Sequence, residues 1–137
     1  MFKTKNDLPE TTRVKAIELL NARLADCIDL QTQTNQAHWN VKGPNFIALH
    51  ELFDGINEEV EDYVDDIAER SVQLGGVAEG TARMVVKRST LREYPAHAAG
   101  GHSHVDALAA ALAAFGTAAG RPSTRPTSWV TWMSSPT

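Results

Sequence analysis

The apolar residues between positions 44 and 74 recur with the period of a helix, and this pattern constrains the fold more than any other feature. The side chains on that period are Phe46, Leu49, Leu52, Phe53, Ile56, Val60, Tyr63, Val64 and Ile67. Gly43 and Pro44 favour a turn followed by a helix start, while Gly75 and Gly76 favour a helix end. At about 1.5 Å per residue, a helix over 44–74 is about 45 Å long, which is typical of a helical bundle.

Two further amphipathic helices are predicted, one on each side of it. The first is expected over about 8–38, where apolar residues lie three or four positions apart at Val14, Ile17, Leu20, Leu24, Cys27 and Ile28. Ser103 and Asp106 then have the pattern of a capping box that opens a helix over about 103–119. The apolar positions of this helix are Val105, Leu108, Leu112 and Phe115. The segment TARMVVKRS predicts a short helix between the longer ones, so the expected fold class is all-α.

Length, charge and cysteine content exclude several classes of protein. With 137 residues, of which 42% are apolar, a single compact domain is expected. The formal charge of −4 gives no overall attraction to nucleic acid, so such a partner needs a local basic segment. The lone cysteine, Cys27, allows no internal disulfide and is interpreted as a small buried hydrophobe, not a reactive thiol. No apolar run approaches the ~20 residues that cross a bilayer and no secretory signal opens the chain, so a cytoplasmic protein is expected.

The composition changes abruptly at Gly120. Prolines exclude a continuous helix from there to the end of the chain, at Pro122, Pro126 and Pro136. A flexible linker or a basic nucleic-acid tail would not be expected to carry Trp129, Trp132 and Met133. Residues 120–137 are therefore predicted to form an irregular tail.

The genetic code suggests an origin for this tail, because Trp and Met each have a single codon. In a frame that starts at the last base of each codon, Trp129 followed by Val130 gives Gly, and Trp132 followed by Met133 gives Asp. With G or C at the ambiguous third bases, the shifted segment becomes acidic and helix-like. Our hypothesis is a frameshift near Ala119 that replaced the intended last helix.

The polar residues of the long helix carry the main indication of function. His50 and Asp54 are four residues apart, as are Asp65 and Glu69, and this spacing lets two side chains on one helix face reach one ion. Imidazole together with carboxylate suits iron, manganese or zinc. The two pairs are nevertheless about 22 Å apart along a straight helix. They cannot share a metal ion within one chain.

Two copies of the helix solve this problem if they pack antiparallel about a two-fold axis just after Glu59. His50 and Glu69 lie equally far from that point, and so do Asp54 and Asp65. His50 and Asp54 of one chain then face Glu69 and Asp65 of the other. The dimer has two identical sites, as a two-fold interface requires.

Other interpretations of these residues stay open at this point. Spacing alone favours a solvated acidic helix face, since the helix also carries Glu51, Glu58, Glu59, Glu61, Asp62 and Asp66. His38, just before the turn, can fold back beside His50, but spacing does not prove it. Trp39 is more often a packing residue, although a ring beside an oxidising metal can intercept radicals. Three further histidines are interpreted as loop and cap residues, namely His97, His102 and His104.

The segments QAHWNVKGPNFIALHELFD and EEVEDYVDDIAERSVQLGG resemble the Dps family, ferritin-like mini-ferritins that protect bacterial DNA under starvation and oxidative stress. The likeness runs from about residue 5 to about residue 119, so 1–119 is expected to be a ferritin-like Dps domain. The resemblance implies that the ferroxidase ligands are His38, His50, Asp54, Asp65 and Glu69, with Trp39 beside them. It also implies that the last two of these ligands come from the two-fold-related subunit.

The resemblance further implies a four-helix bundle that assembles through two-fold dimers into a hollow dodecamer. The implied activity is oxidation of Fe²⁺ to Fe³⁺, preferably by hydrogen peroxide, with ferric mineral stored inside. Two electrons pass from iron to peroxide, so the one-electron product, hydroxyl radical, is largely avoided. The family's fourth helix closes the bundle, and nothing after Ala119 matches it. The expected fold is therefore a ferritin-like bundle whose last helix is missing or replaced by the irregular tail.

The basic residues near the start bear on DNA binding. Many family members use a lysine-rich arm, whereas this arm has only Lys3 and Lys5. Neutralising so few phosphates gives weak, salt-sensitive binding without sequence readout. Two hypotheses result: an iron-oxidising and iron-storing ferroxidase, or a non-catalytic structural or DNA-associating protein, including a truncated inactive fragment of the family. The second predicts no iron oxidation.

Sequencing the gene tests the frameshift hypothesis. We expect the codons of residues 124–133, read from their last bases, to encode the acidic peptide Glu-Ala-Asp-Glu-Leu-Gly-Asp-Val-Asp. An open frame whose shifted codons give no such peptide would contradict a frameshift.

Overall fold

A computed structural model describes residues 1–120, and these residues form helices joined by turns and loops. The helices are α1, Glu10–Asn40; α2, Phe46–Gln73; α3, Ala82–Arg88; and α4, Gly101–Gly120. No strand occurs in this range, where β pairing is limited to an isolated bridge between Lys42 and Gly100. The all-α prediction is confirmed for the described part of the chain. None of its helices has both the length and the apolar content to span a membrane.

The start of α4 differs from the prediction. The helix begins at Gly101, and Ser103 lies in its first turn, where its hydroxyl donates to the Gly100 carbonyl oxygen at 2.8 Å. The predicted capping box at Ser103 is therefore wrong. At its other end α4 includes Gly120. The remainder of the predicted tail, and the frameshift inferred from it, lie outside the described residues.

The longest helix, α1, packs against each of the other three. Its inner face forms the main core with residues from α2, from α4 and from the position just after α2. The buried members are Ala16, Leu20, Leu24, Cys27, Leu30, Val60, Ile67, Leu74 and Ala111. Fully burying one leucine or isoleucine side chain contributes about 1.5–3 kcal/mol, so this face accounts for the packing of α1 and α2 along their length. Burial raises the pKa of the Cys27 thiol to about 12. The interpretation of Cys27 as a small buried hydrophobe is confirmed.

A second apolar cluster lies at the end of the bundle where α1 turns into α2, and we call it the turn cluster. Its buried members are Ala37, Val41, Phe53 and Leu108, with Leu49, Ile56 and Tyr94 packed against them. The turn itself needs Gly43, whose φ of +115° favours glycine. The cluster joins three helices, because Leu108 belongs to α4.

A buried histidine lies beside the turn cluster. His104 of α4 is fully buried, its Nδ1 shares a hydrogen bond with the Tyr94 hydroxyl, and its Nε2 has no partner in residues 1–120. Burial lowers the pKa of His104, while nearby backbone groups of Asn40 and Ala98 act in the opposite direction. The interpretation of His104 as a loop or cap residue is therefore wrong. That interpretation missed the burial of His104 and its hydrogen bond to Tyr94.

The opposite end of α2 is held close to the N-terminal segment. The Phe2 amide donates to the Gly75 carbonyl at 2.8 Å, and the Thr4 hydroxyl donates to the Gln73 carbonyl at 3.2 Å. Gly75 has a φ of +91°, and a Cβ there would lie 2.7 Å from the Phe2 oxygen. A Cβ at Gly76 would lie 2.6 Å from Cγ2 of Ile17 in α1. The two glycines therefore permit close contacts that other residues would block.

Replacing Gly76 with alanine should destabilise the fold, because its Cβ would meet Ile17 and the Ser71 carbonyl, the latter at 3.0 Å. Such overpacking costs about 1–3 kcal/mol. Gly55→Ala is the matched control, since a Cβ there meets nothing within 4 Å and alanine favours a helix by about 1 kcal/mol. Urea unfolding followed by circular dichroism measures both. A Gly76→Ala chain as stable as Gly55→Ala would contradict the close approach.

The free energy of unfolding should fall as the pH drops below about 6.5, the ordinary histidine pKa. Because the folded chain lowers the pKa of His104, the unfolded chain binds the proton first, and acid therefore favours unfolding. His104→Gln should make this fall less steep, whereas His97→Gln, a change in an exposed loop, should not. Urea unfolding at about pH 7 and about pH 5.5 compares them. An identical pH dependence in both variants would argue against a buried neutral His104.

Candidate metal centre

The turn between α1 and α2 brings two of the predicted ligands together. His38 lies in the last turn of α1, and His50 lies one turn into α2. Their rings stack with centroids 3.7 Å apart and an interplanar angle of 20°. Nδ1 of His38 is 2.9 Å from the His50 carbonyl oxygen, and Nδ1 of His50 is 2.8 Å from the His38 carbonyl oxygen. The two residues thus bond to each other's backbone.

These reciprocal bonds determine which nitrogen of each ring carries the proton. A carbonyl oxygen only accepts, so Nδ1 must donate in both His38 and His50. In the neutral rings both Nε2 atoms therefore keep a lone pair. Backbone carbonyls commonly orient metal-binding histidines in this way. Both histidines therefore have an Nε2 atom that can bind a cation. The ring of Phe46 packs near the pair, with its centroid 5.1 Å from that of His50.

The predicted carboxylates lie farther along α2. Asp54 is exposed one turn after His50, and Asp65 and Glu69 are exposed toward the other end of the helix. The midpoints of the two pairs are about 22 Å apart along the helix. In the described residues no three His, Cys, Asp or Glu side chains come together in a way that could hold a metal ion. One chain therefore presents two separate partial sites.

The exposed side of α2 carries acids between two apolar residues. Ile47, Asp54, Asp65 and Val72 follow at intervals close to whole helical turns, so they form one stripe. Ile47 and Val72 are 62% and 56% exposed. The stripe is symmetric about the point just after Glu59, the same point that relates the two ligand pairs. We call Ile47, Asp54, Asp65 and Val72 the α2 stripe.

The remaining predicted residues are all near the surface. Trp39 follows His38 in α1 and is 70% exposed, so it does not pack in the core of this chain. Lys3 and Lys5 are exposed on the N-terminal segment. His102 is also exposed, and its Nε2 lies 3.2 Å from the Asp106 carboxylate. None of these residues contributes a third ligand to the His38 and His50 pair within the chain.

Comparison with known proteins identifies the family. The ferritin-like domain family matches residues 17–121. The DNA protection during starvation protein of Agrobacterium fabrum is 49% identical over 106 residues, which are 77% of this chain and 65% of the relative. The fine tangled pili major subunit of Haemophilus ducreyi is 40% identical over 88 residues, which are 64% of this chain and 47% of the relative. The chain thus spans less than two thirds of the length of these curated relatives.

A solved structure of Dps from Mycobacterium smegmatis has a TM-score of 0.81 and 30% sequence identity, over 87% of this chain and 72% of that one. DpsA14 from Streptomyces coelicolor has a TM-score of 0.80 and 34% identity, over 84% of this chain and 68% of that one. These likenesses confirm the ferritin-like fold predicted for the helical part. The chain therefore belongs to the ferritin-like domain family and, within it, to the Dps proteins.

Proposed function

We propose that two copies of this chain form a ferroxidase that oxidises Fe²⁺ with hydrogen peroxide, and that the assembled protein stores the ferric product. The observation that carries this proposal is the His38 and His50 pair. Its reciprocal hydrogen bonds leave both Nε2 atoms free to bind a cation. Asp54, four residues after His50, adds a carboxylate on the side of α2 that faces solvent.

The symmetry of the α2 stripe supports completion of the site by a second copy. When two α2 helices pack antiparallel about the point after Glu59, Ile47 of each chain meets Val72 of the other. Both apolar side chains are exposed in the single chain, so this contact would remove them from water. The same operation places Asp65 of the partner opposite Asp54. Each dimer would contain two equivalent sites made of residues from both chains.

The donor set fits iron as a substrate. Imidazole nitrogens bind Fe²⁺, and hard carboxylate oxygens of Asp54, Asp65 and Glu69 favour the Fe³⁺ that forms. Two Fe²⁺ ions supply one electron each, and hydrogen peroxide takes up both electrons with two protons to give two water molecules. Because no single-electron step releases hydroxyl radical, nearby DNA would be spared. Trp39 is exposed beside His38, where it could be oxidised by a stray radical in place of other groups.

The wider biological role is part of the same proposal. In the cytoplasm, dimers would assemble into a dodecamer that encloses the mineral and protects DNA from oxidative damage. Lys3 and Lys5 are exposed and lie beside Thr4, whose hydroxyl bonds to the end of α2. These two lysines could contact DNA phosphates, and the segment that carries them is anchored to α2. Binding through so few charges would be weak and sensitive to salt.

Complementation between two inactive variants tests both the activity and the shared site. His50→Ala with Asp54→Ala removes one partial site, and Asp65→Asn with Glu69→Gln removes the other. Each variant alone should lose most of the peroxide-dependent Fe²⁺ oxidation. An equal mixture, unfolded and refolded together, should recover about a quarter of the wild-type rate, because half the dimers are mixed and each has one intact site. Ferric absorbance and size-exclusion chromatography give the rate and the assembly.

Asp66→Asn is the matched control, since Asp66 is an exposed neighbour of Asp65 that points away from the α2 stripe. It should keep the wild-type rate. Full activity in the His50→Ala and Asp54→Ala double variant would rule out the proposed site. Recovery that fails to appear in a mixture of correctly assembled dimers would rule out sharing between chains. A wild-type chain without iron oxidation would favour the non-catalytic alternative.

A further inference from the structure

The turn cluster contains residues that are next to the proposed ligands in the sequence. Ala37, Leu49 and Phe53 all belong to it. Each of them immediately precedes a proposed ligand in the sequence, namely His38, His50 and Asp54 respectively. The positions of these ligands therefore depend on how the cluster packs. The cluster in turn includes Leu108, which lies one helical turn after His104 in α4.

The start of α4 touches the same turn in three further ways. The Lys42 amide donates to the Ala99 carbonyl at 3.1 Å, which ties the turn after α1 to the segment before α4. A Cβ at Gly101 would lie 2.4 Å from Cδ1 of Leu49, so the helix start passes very close to that side chain. The buried ring of His104 lies near backbone groups of Asn40 and Ala98. These contacts connect α4 to the residues on both sides of the turn.

We propose that Tyr94 and His104 are positioning residues for the metal-binding pair His38 and His50. Their mutual hydrogen bond holds the start of α4 against the turn, and the turn holds the two histidines in register. Neither residue touches the metal or the peroxide. The inference rests on the proposed function only in taking His38 and His50 as cation ligands.

The orientation of the histidine pair depends on the relative position of α1 and α2. Each reciprocal bond joins a ring of one helix to a carbonyl of the other, so both bonds are sensitive to the same relative movement of α1 and α2. A hydrogen bond weakens steeply once its length or angle leaves a narrow range. If α4 withdraws from the turn, the Lys42 to Ala99 bond and the Leu49 contact change together. The rings would then lose the two reciprocal bonds that leave both Nε2 atoms free to bind a cation.

The burial of His104 makes its hydrogen bond to Tyr94 a fixed connection in the fold. A buried polar group that loses its partner destabilises the fold, and removing the Tyr94 hydroxyl would take away the hydrogen bond that Nδ1 of His104 makes. Loss of this bond would favour movement of the His104 ring toward solvent or toward other hydrogen-bond partners. Tyr94→Phe keeps the ring packed against the turn cluster and removes only this bond. It is therefore a milder test than changing the buried histidine.

Zn²⁺ titration calorimetry on the full-length chain tests the proposal without requiring oxidation. Tyr94→Phe and His104→Gln should each weaken Zn²⁺ binding about tenfold, the lower end of the loss seen when a supporting partner of a metal ligand is removed. Hydrogen exchange followed by mass spectrometry should show faster exchange over residues 37–50 in both variants. Circular dichroism checks the helix content. If His104→Gln fails to fold, Tyr94→Phe decides alone.

Asn21→Ala is the matched control for general destabilisation. Asn21 is also buried and polar, its amide donates to the Val77 carbonyl at 3.0 Å, and its oxygen accepts from the Glu79 amide at 3.0 Å. It lies 17 residues before His38 in α1, or about 25 Å along the helix. This variant should lose stability while keeping wild-type Zn²⁺ affinity and wild-type exchange over 37–50.

Zn²⁺ affinity in Tyr94→Phe equal to that of the wild type would overturn the positioning role, as would an equal loss in Asn21→Ala. Iron oxidation, measured in parallel, separates the two proposals. Wild-type chain that binds Zn²⁺ and responds to Tyr94→Phe but oxidises no Fe²⁺ would refute the ferroxidase and leave the positioning role standing. If the wild-type chain oxidises Fe²⁺ but Tyr94→Phe leaves Zn²⁺ affinity unchanged, the positioning role is refuted and the ferroxidase stands.

Discussion

The packing of α1 against α2 is the interaction on which the rest of the structure depends. It brings together two histidines that are separated by a turn, and it does so with backbone carbonyls already in place as acceptors. A shift of one residue between the helices moves one backbone by about 1.5 Å relative to the other, which is enough to break both reciprocal bonds. The apolar faces that set this register therefore also determine the chemistry of His38 and His50.

The length of α2 has an equally direct effect. A helix that continues from Phe46 to Gln73 holds the pair His50 and Asp54 apart from the pair Asp65 and Glu69, and nothing in the described chain folds back to join them. Under the proposed function, chemistry and assembly are then one event, because neither partial site is complete before two chains meet. An isolated chain would bind iron only loosely through exposed groups. Activity would be switched on by association and not by a change of shape.

Much of the fold could be predicted from the sequence, because the apolar period of α1, α2 and α4 indicates a helix in each case, although Val105 and Leu112 on the predicted apolar face of α4 are exposed. The separation of His50 from Glu69 also follows from helix rise alone. The reciprocal bonds do not, since they depend on the register between two helices, which many packed side chains determine together. His104 is hydrogen-bonded to Tyr94, a loop residue whose position the spacing of apolar residues does not predict. At Ser103 the capping pattern predicted a helix start that the Gly100 contact replaces.

The burial of Cys27, the single cysteine of the chain, affects how the protein would respond to peroxide. Cys27 is fully buried in the core, and the desolvation that raises its pKa to about 12 keeps it protonated at physiological pH. Peroxide attacks thiolates, not thiols, and attack also requires access. A protein that consumes peroxide, as proposed here, would thus carry its sole cysteine in a form that its own co-substrate cannot readily damage. The packing that builds the bundle would also give it durability toward oxidants.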